Sequence, residues 1–69
     1  MNRWSVKEKR MISNPKVDAF LVDIIKVCRQ HKMAIGHEDS GGGFIISSLS
    51  DVDDSILDWI GSAADNTRS

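Results

Sequence analysis

The part of the chain richest in residues that could do chemistry is the nine-residue segment 36–44, Gly-His-Glu-Asp-Ser-Gly-Gly-Gly-Phe. Successive glycines allow backbone amides to approach a ligand closely, and such amides can form a concave anion site. One interpretation is therefore a cradle for a phosphate or carboxylate. The other is a long hairpin loop, because the segment lacks the Lys-Ser/Thr ending of a nucleotide-binding loop and its two acids would repel an anion. The candidate ligand-binding residues here are His37, Asp39, Ser40, Gly41, Gly42 and Gly43.

The same segment contains residue types used in acid–base catalysis. Histidine exchanges protons near neutral pH, and side-chain alternation along a strand puts His37 on the same face as Asp39 rather than Glu38. Cys28 and His31 are possible metal ligands, but no second cysteine pair or fixed-spacing histidine completes a zinc pattern. We therefore predict no catalytic residue, no metal and no cofactor, and keep a small hydrolase using His37 and Asp39 as the third functional hypothesis.

The N-terminal segment supplies cations that could complete a ligand site. Arg3, Lys7 and Arg10 surround Trp4, whose indole could stack on a base. The first 32 residues carry eight Lys or Arg and three acids, whereas the remaining residues carry one Arg and seven acids. The pI of about 6.0 and the acidic second half argue against binding to duplex nucleic acid. An acidic patch for a basic partner is an alternative, and it would consist of Asp51, Asp53, Asp54 and Asp58.

Length and composition limit the architecture. A chain of 69 residues with 41% hydrophobic residues is one small globular domain with little core to spare, so we predict a homo-oligomer. The single cysteine excludes an internal disulfide, and no apolar signal or membrane-spanning run is present. We expect a cytoplasmic protein without membrane association.

The secondary-structure signals predict a small α+β domain in the order helix, β-hairpin, helix. Asn14 and Pro15 mark a helix start, and the apolar spacing continues the helix to about His31. Residues 33–38 and 44–48 read as the two strands, and a second helix follows with Ser50 as its cap. Over residues 1–13, Trp4, Met11 and Ile12 fit helical spacing while Trp4 and Val6 also fit a short strand alternation, and we favour a basic arm or short helix. An α-β-β-α core over 14–64 and a polar tail over 65–69 follow. The predicted core residues are Phe20, Ile24, Ile46, Ile56 and Trp59.

Two of these stretches resemble a group of small phage and prophage proteins. They are the Cys-Arg-x-His helix end at 28–31 and the His-Glu-Asp to Gly-Phe hairpin at 37–44, within a resemblance that covers residues 14–60. The four-residue run 40–43 differs from the shorter, bulkier loops of that group. The resemblance implies an accessory phage protein in the host cytoplasm that acts by stoichiometric binding.

Two mechanisms follow from that implication. The first is counter-defence by an oligomer that sequesters a nucleotide immune signal. The alternative is inhibition of a host protein through the acidic helix.

Overall fold

The computed structural model describes residues 1–38, 40–52 and 55–67. The elements follow in the order β1 (Asn2–Ser5), β2 (Arg10–Ser13), α1 (Pro15–His31), β3 (Met33–His37), β4 (Phe44–Ser48), a 3-10 helix (Leu49–Asp51) and α2 (Ser55–Gly61). Each strand pair forms its own two-stranded antiparallel sheet. The predicted α+β class and the order helix, hairpin, helix are confirmed.

Helix α1 forms as predicted, from Pro15 to His31. The Asn14 side chain accepts a hydrogen bond from the Lys16 amide at 3.2 Å, which satisfies one of the free amides of the first turn. Lys32 ends the helix in the left-handed conformation, at a φ of 57°. Its amide donates to the Arg29 carbonyl at 3.3 Å, so the chain can turn sharply into β3.

Residues 1–13 form a β-hairpin instead of the predicted arm or short helix. The strands pair from Asn2↔Ser13 to Ser5↔Arg10, and the Lys9 amide donates to the Ser5 carbonyl at 2.8 Å to close the turn. The sequence does not indicate this hairpin because the buried positions of β1 are the polar Arg3 and Ser5, and β2 buries only Ile12.

The C-terminal segment packs against this hairpin. Asp65 lies beside β1, where its amide donates to the Trp4 carbonyl and its carbonyl accepts from the Val6 amide, both at 2.8 Å. The Asp65 carboxylate is buried and accepts hydrogen bonds from Asn14 Nδ2 at 2.8 Å and from the Thr67 amide at 2.7 Å. Of the predicted polar tail, Asp65 is therefore buried, Asn66 and Thr67 are exposed, and residues 68 and 69 lie outside the described part of the chain.

Helix α2 is shorter than predicted and has a different buried face. It begins at Ser55 rather than after Ser50, and Leu57, not Ile56, is its fully buried side chain. Gly61, one turn later, faces α1 so closely that a Cβ there would lie 3.3 Å from Cδ1 of Ile25. Two turns are too few to bury the broad apolar stripe that the sequence presents.

The core is consequently small, and most of its predicted members lie elsewhere. Its buried hydrophobic residues are Ile12, Leu21, Cys28, Ala34 and Leu57. Among the residues predicted to be buried, Ile24 and Ile56 are half-buried, whereas Phe20 and Ile46 are each 62% exposed and Trp59 is 77% exposed. Single-layer hairpins and a two-turn helix leave these side chains without a covering element.

Candidate binding groove

The uncovered side chains border an apolar groove between α1, the second hairpin and α2. The groove has a volume of about 830 Å³. Its lining includes Phe20, Ile35, His37, Phe44, Ile56 and Trp59. Because these residues come from four elements, the groove exists only in the folded chain.

Three aromatic side chains line this groove and remain largely exposed. Phe20 on α1 is 62% exposed, Phe44 on β4 is 79% exposed and Trp59 on α2 is 77% exposed. Scattered surface hydrophobics are ordinary, but large apolar side chains gathered around one concavity mark a binding surface. Such rings offer much contact area at a small cost in side-chain entropy.

His37 gives the groove its polar group. It is the direct cross-strand partner of Phe44, and their ring centroids lie 6.1 Å apart in an edge-to-face arrangement. Of the described residues that line the groove, His37 alone has an ionisable side chain. Asp39, its predicted partner, lies outside the described residues.

The glycine-rich loop is closed by Glu38. The Glu38 amide donates to the Gly43 carbonyl at 2.8 Å, and its carbonyl accepts from the Gly42 amide at 3.1 Å. Its carboxylate accepts a hydrogen bond from the Ser40 hydroxyl and lies against Gly41. A ligand anion at this loop would therefore meet a carboxylate and find the Gly42 amide already engaged.

Two of the predicted cations have partners within the fold. Arg3 is 2% exposed, and its Nε donates to Asp18 Oδ1 at 3.2 Å while its Nη1 donates to the carbonyls of Gly61 and Ala63 at 3.1 and 2.9 Å. Arg10 pairs with Glu8 at 2.8 Å. The guanidinium of Arg3 thus holds the end of α2 against α1 and is not available to a ligand, contrary to the sequence-based expectation.

Lys7 and Trp4 are exposed on the N-terminal hairpin. Trp4 is 47% exposed and lies opposite Met11 in the strand pairing. Neither residue lines the groove. Their predicted role in ligand binding stays a prediction.

Asp18 is the group whose titration this arrangement changes. The hydrogen bond from Arg3 lowers the pKa of the Asp18 carboxyl below its ordinary value. Partial burial opposes this shift, and the N-terminal ammonium, 3.3 Å from Oδ2, reinforces it. The carboxylate is therefore held in its charged form, which keeps its ion pair with Arg3.

The sequence does not predict the aromatic lining, because its helical spacing assigns Phe20 and Trp59 to the core. One signal in the sequence does point to exposed aromatics. The chain has more large hydrophobic residues than its few short elements can cover. Two of the acids predicted to form a patch are exposed, Asp51 on the 3-10 helix and Asp58 on α2. Asp53 and Asp54 lie outside the described residues.

No family model, curated protein or solved structure matches this chain. Within residues 1–38, 40–52 and 55–67, no helix is long and apolar enough to cross a bilayer. The same residues contain no cluster of three or more histidine, cysteine or acidic side chains that could hold a metal ion.

Proposed function

We propose that this chain is a non-enzymatic binding protein that holds an apolar, basic segment of a partner protein in the groove between α1, the second hairpin and α2. The observation that carries the proposal is the set of three exposed aromatic side chains, Phe20, Phe44 and Trp59, around one concavity. An amphipathic helix laid into such a groove would cover these rings with its apolar face.

The charge around the groove favours a basic partner. No lysine or arginine is among the described lining residues of the groove. The exposed Asp58 lines an adjoining concavity that shares Trp59 with the groove. Asp51 adds a second exposed carboxylate on the preceding 3-10 helix. Charges at the rim of an interface mainly set partner choice and association rate, so they select a basic segment over an acidic one.

The resemblance to small phage and prophage proteins favours a host protein as the partner. A stoichiometric inhibitor acting in the host cytoplasm, as part of counter-defence, agrees with a chain that offers a binding surface and a single ionisable group in its groove. We further propose that it acts as a homo-oligomer, because so many large hydrophobics stay exposed in one copy.

Sequestration of a nucleotide signal by the glycine-rich loop becomes the second candidate. It requires cations near the loop's amides, and Arg3 and Arg10 are engaged by Asp18 and Glu8. It also requires Glu38 to leave the loop.

The proposal is tested by titrating the 15N-labelled protein with an 18-residue helical Leu/Lys peptide and a Leu/Glu peptide of the same pattern. We expect the Leu/Lys peptide to shift the Trp59 indole and the His37 ring, with the Trp4 indole outside the groove as the internal control. The Leu/Glu peptide should bind at least about tenfold more weakly. If neither peptide shifts Trp59 at millimolar concentration, the groove is not a peptide site and the proposal is wrong.

A further inference from the structure

Among residues 1–38, 40–52 and 55–67, no backbone group pairs with the outer edge of β4. The Leu49 amide donates to the Lys32 carbonyl at 2.9 Å and the Glu38 amide donates to the Gly43 carbonyl at 2.8 Å, at the two ends of the hairpin. Antiparallel pairs alternate between bonded and non-bonded positions, so the pairs between these ends follow a fixed pattern. The bonded pairs are Ala34↔Ser47 and Gly36↔Ile45. The backbone amides and carbonyls of Phe44, Ile46 and Ser48 therefore point away from β3.

The N-terminal hairpin protects its edges, and β4 does not. Asp65 covers β1 by backbone hydrogen bonds, and β2 carries the charged Arg10. The sequence of β4, Phe-Ile-Ile-Ser-Ser, contains no charge and no proline, and its pairing with β3 is continuous without a bulge. Natural monomers protect exposed strand edges with a covering segment, a charged side chain, a proline or a bulge. An edge that lacks all four can pair with another strand.

We propose that a second copy of this chain pairs along the β4 edge. Two identical edges related by a twofold axis meet antiparallel, which makes one four-stranded sheet in the order β3-β4-β4-β3. The occupant is a second copy because β4 is uncharged, so a self-pairing involves no like-charge repulsion between the strands.

Side chains on both faces of the strand would gain from this pairing. Phe44 and Ile46 lie on one face and Ile45 on the other, and in a single copy they are 79%, 62% and 46% exposed. Pairing would place each of them beside a side chain of the partner strand on the same face. Because Phe44 also lines the groove, each groove of the dimer would lie beside the β4 strand of its own copy, so the two grooves would flank the central β4–β4 pair. This inference rests on the oligomeric part of the proposed function.

Ser48 allows a test that changes the edge without changing the fold. Its φ of −73° is the value that proline imposes, and its amide points outward, so Ser48→Pro removes an edge donor while the hairpin bonds remain. Ser48→Ala keeps the amide and loses the same contact with the Ser50 hydroxyl, so it is the matched control. By sedimentation equilibrium we expect wild type and Ser48→Ala to be dimers of the 7.7 kDa chain, and Ser48→Pro to dissociate at least about tenfold more readily.

Amide hydrogen exchange on the wild type gives a second reading that needs no variant. The amides of Phe44, Ile46 and Ser48 should gain protection as the protein concentration rises through the dimer range. If wild type and folded Ser48→Pro dimerise equally, or if these amides exchange freely in the dimer, edge pairing is wrong while the oligomer stands. A wild type that stays monomeric at millimolar concentration overturns the edge pairing and the proposed oligomer together, and leaves the peptide titration of the groove as a separate question.

Discussion

Replacing Arg3 with methionine should destabilise the protein more than any other single change of a charged residue on the N-terminal hairpin. Methionine keeps an unbranched apolar side chain in the buried position and removes the guanidinium, which is 2% exposed. The lost interactions are two hydrogen bonds to Asp18, from Nε and Nη2, and two from Nη1 to the carbonyls of Gly61 and Ala63. All of these bonds involve the charged guanidinium, and a hydrogen bond to a charged group contributes about 1.5–3 kcal/mol. Asp18 is partly exposed and keeps the N-terminal ammonium, and water can replace the bond to the exposed Ala63, so the four losses do not add in full. We expect the free energy of unfolding to fall by at least about 3 kcal/mol.

That loss is large for this chain. At 0.05–0.15 kcal/mol per residue, a 69-residue domain has a free energy of unfolding of about 3–10 kcal/mol. Urea unfolding at a fixed protein concentration, followed by far-UV circular dichroism, measures the change. Arg10→Met is the matched control, because Arg10 pairs with Glu8 at the surface and should cost less than about 1 kcal/mol. Equal losses in the two variants would refute the idea that Arg3 joins the hairpin to the end of α2.

Three further expectations follow from the structure. The pKa of Asp18 is lowered in the folded state, so its stabilising effect is present above the unfolded pKa of ~3.9 and is lost as the pH falls through the folded pKa. The free energy of unfolding of Asp18→Asn should therefore fall less steeply than that of wild type below about pH 4. An identical fall in the two proteins would contradict this. Leu57→Ala should lower the free energy of unfolding by about 2–5 kcal/mol because Leu57 is fully buried, and Trp59→Ala should change it by less than about 0.5 kcal/mol. Urea unfolding measures both, and the reverse order would mean that the buried face of α2 is misassigned. Calorimetry with cyclic nucleotides and ADP-ribose derivatives should give no binding heat; heat that Gly42→Val abolishes, at the position where φ is 72°, would restore the glycine-rich loop as the ligand site.

The elements that could be predicted from the sequence are those with strong local signals. Asn14 and Pro15 determine where α1 starts, and β-branched residues on either side of a glycine-rich loop indicate the second hairpin. Both depend on interactions between residues close in the chain, so a single sequence is enough to find them.

The elements that could not be predicted depend on contacts between distant parts of the chain. The first hairpin buries Arg3 and Ser5, and their partners near Gly61 and Asp65 are about sixty residues away. No local pattern indicates that a polar alternation faces inward. The same limit explains the candidate site, because a helical stripe identifies Phe20 and Trp59 as apolar positions but does not tell whether another element covers them.

The affinity of Phe20→Ala and Val27→Ala for the Leu/Lys peptide tests the central claim most directly. Both residues lie on α1 with more than half of their surface exposed, 62% and 52%, but only Phe20 lines the groove. Neither truncation should unfold the protein, so fluorescence anisotropy of the labelled peptide reports binding alone. We expect Phe20→Ala to weaken binding at least about tenfold and Val27→Ala to weaken it less than about twofold. Equal affinities for the two variants would contradict the claim that the groove holds the partner segment.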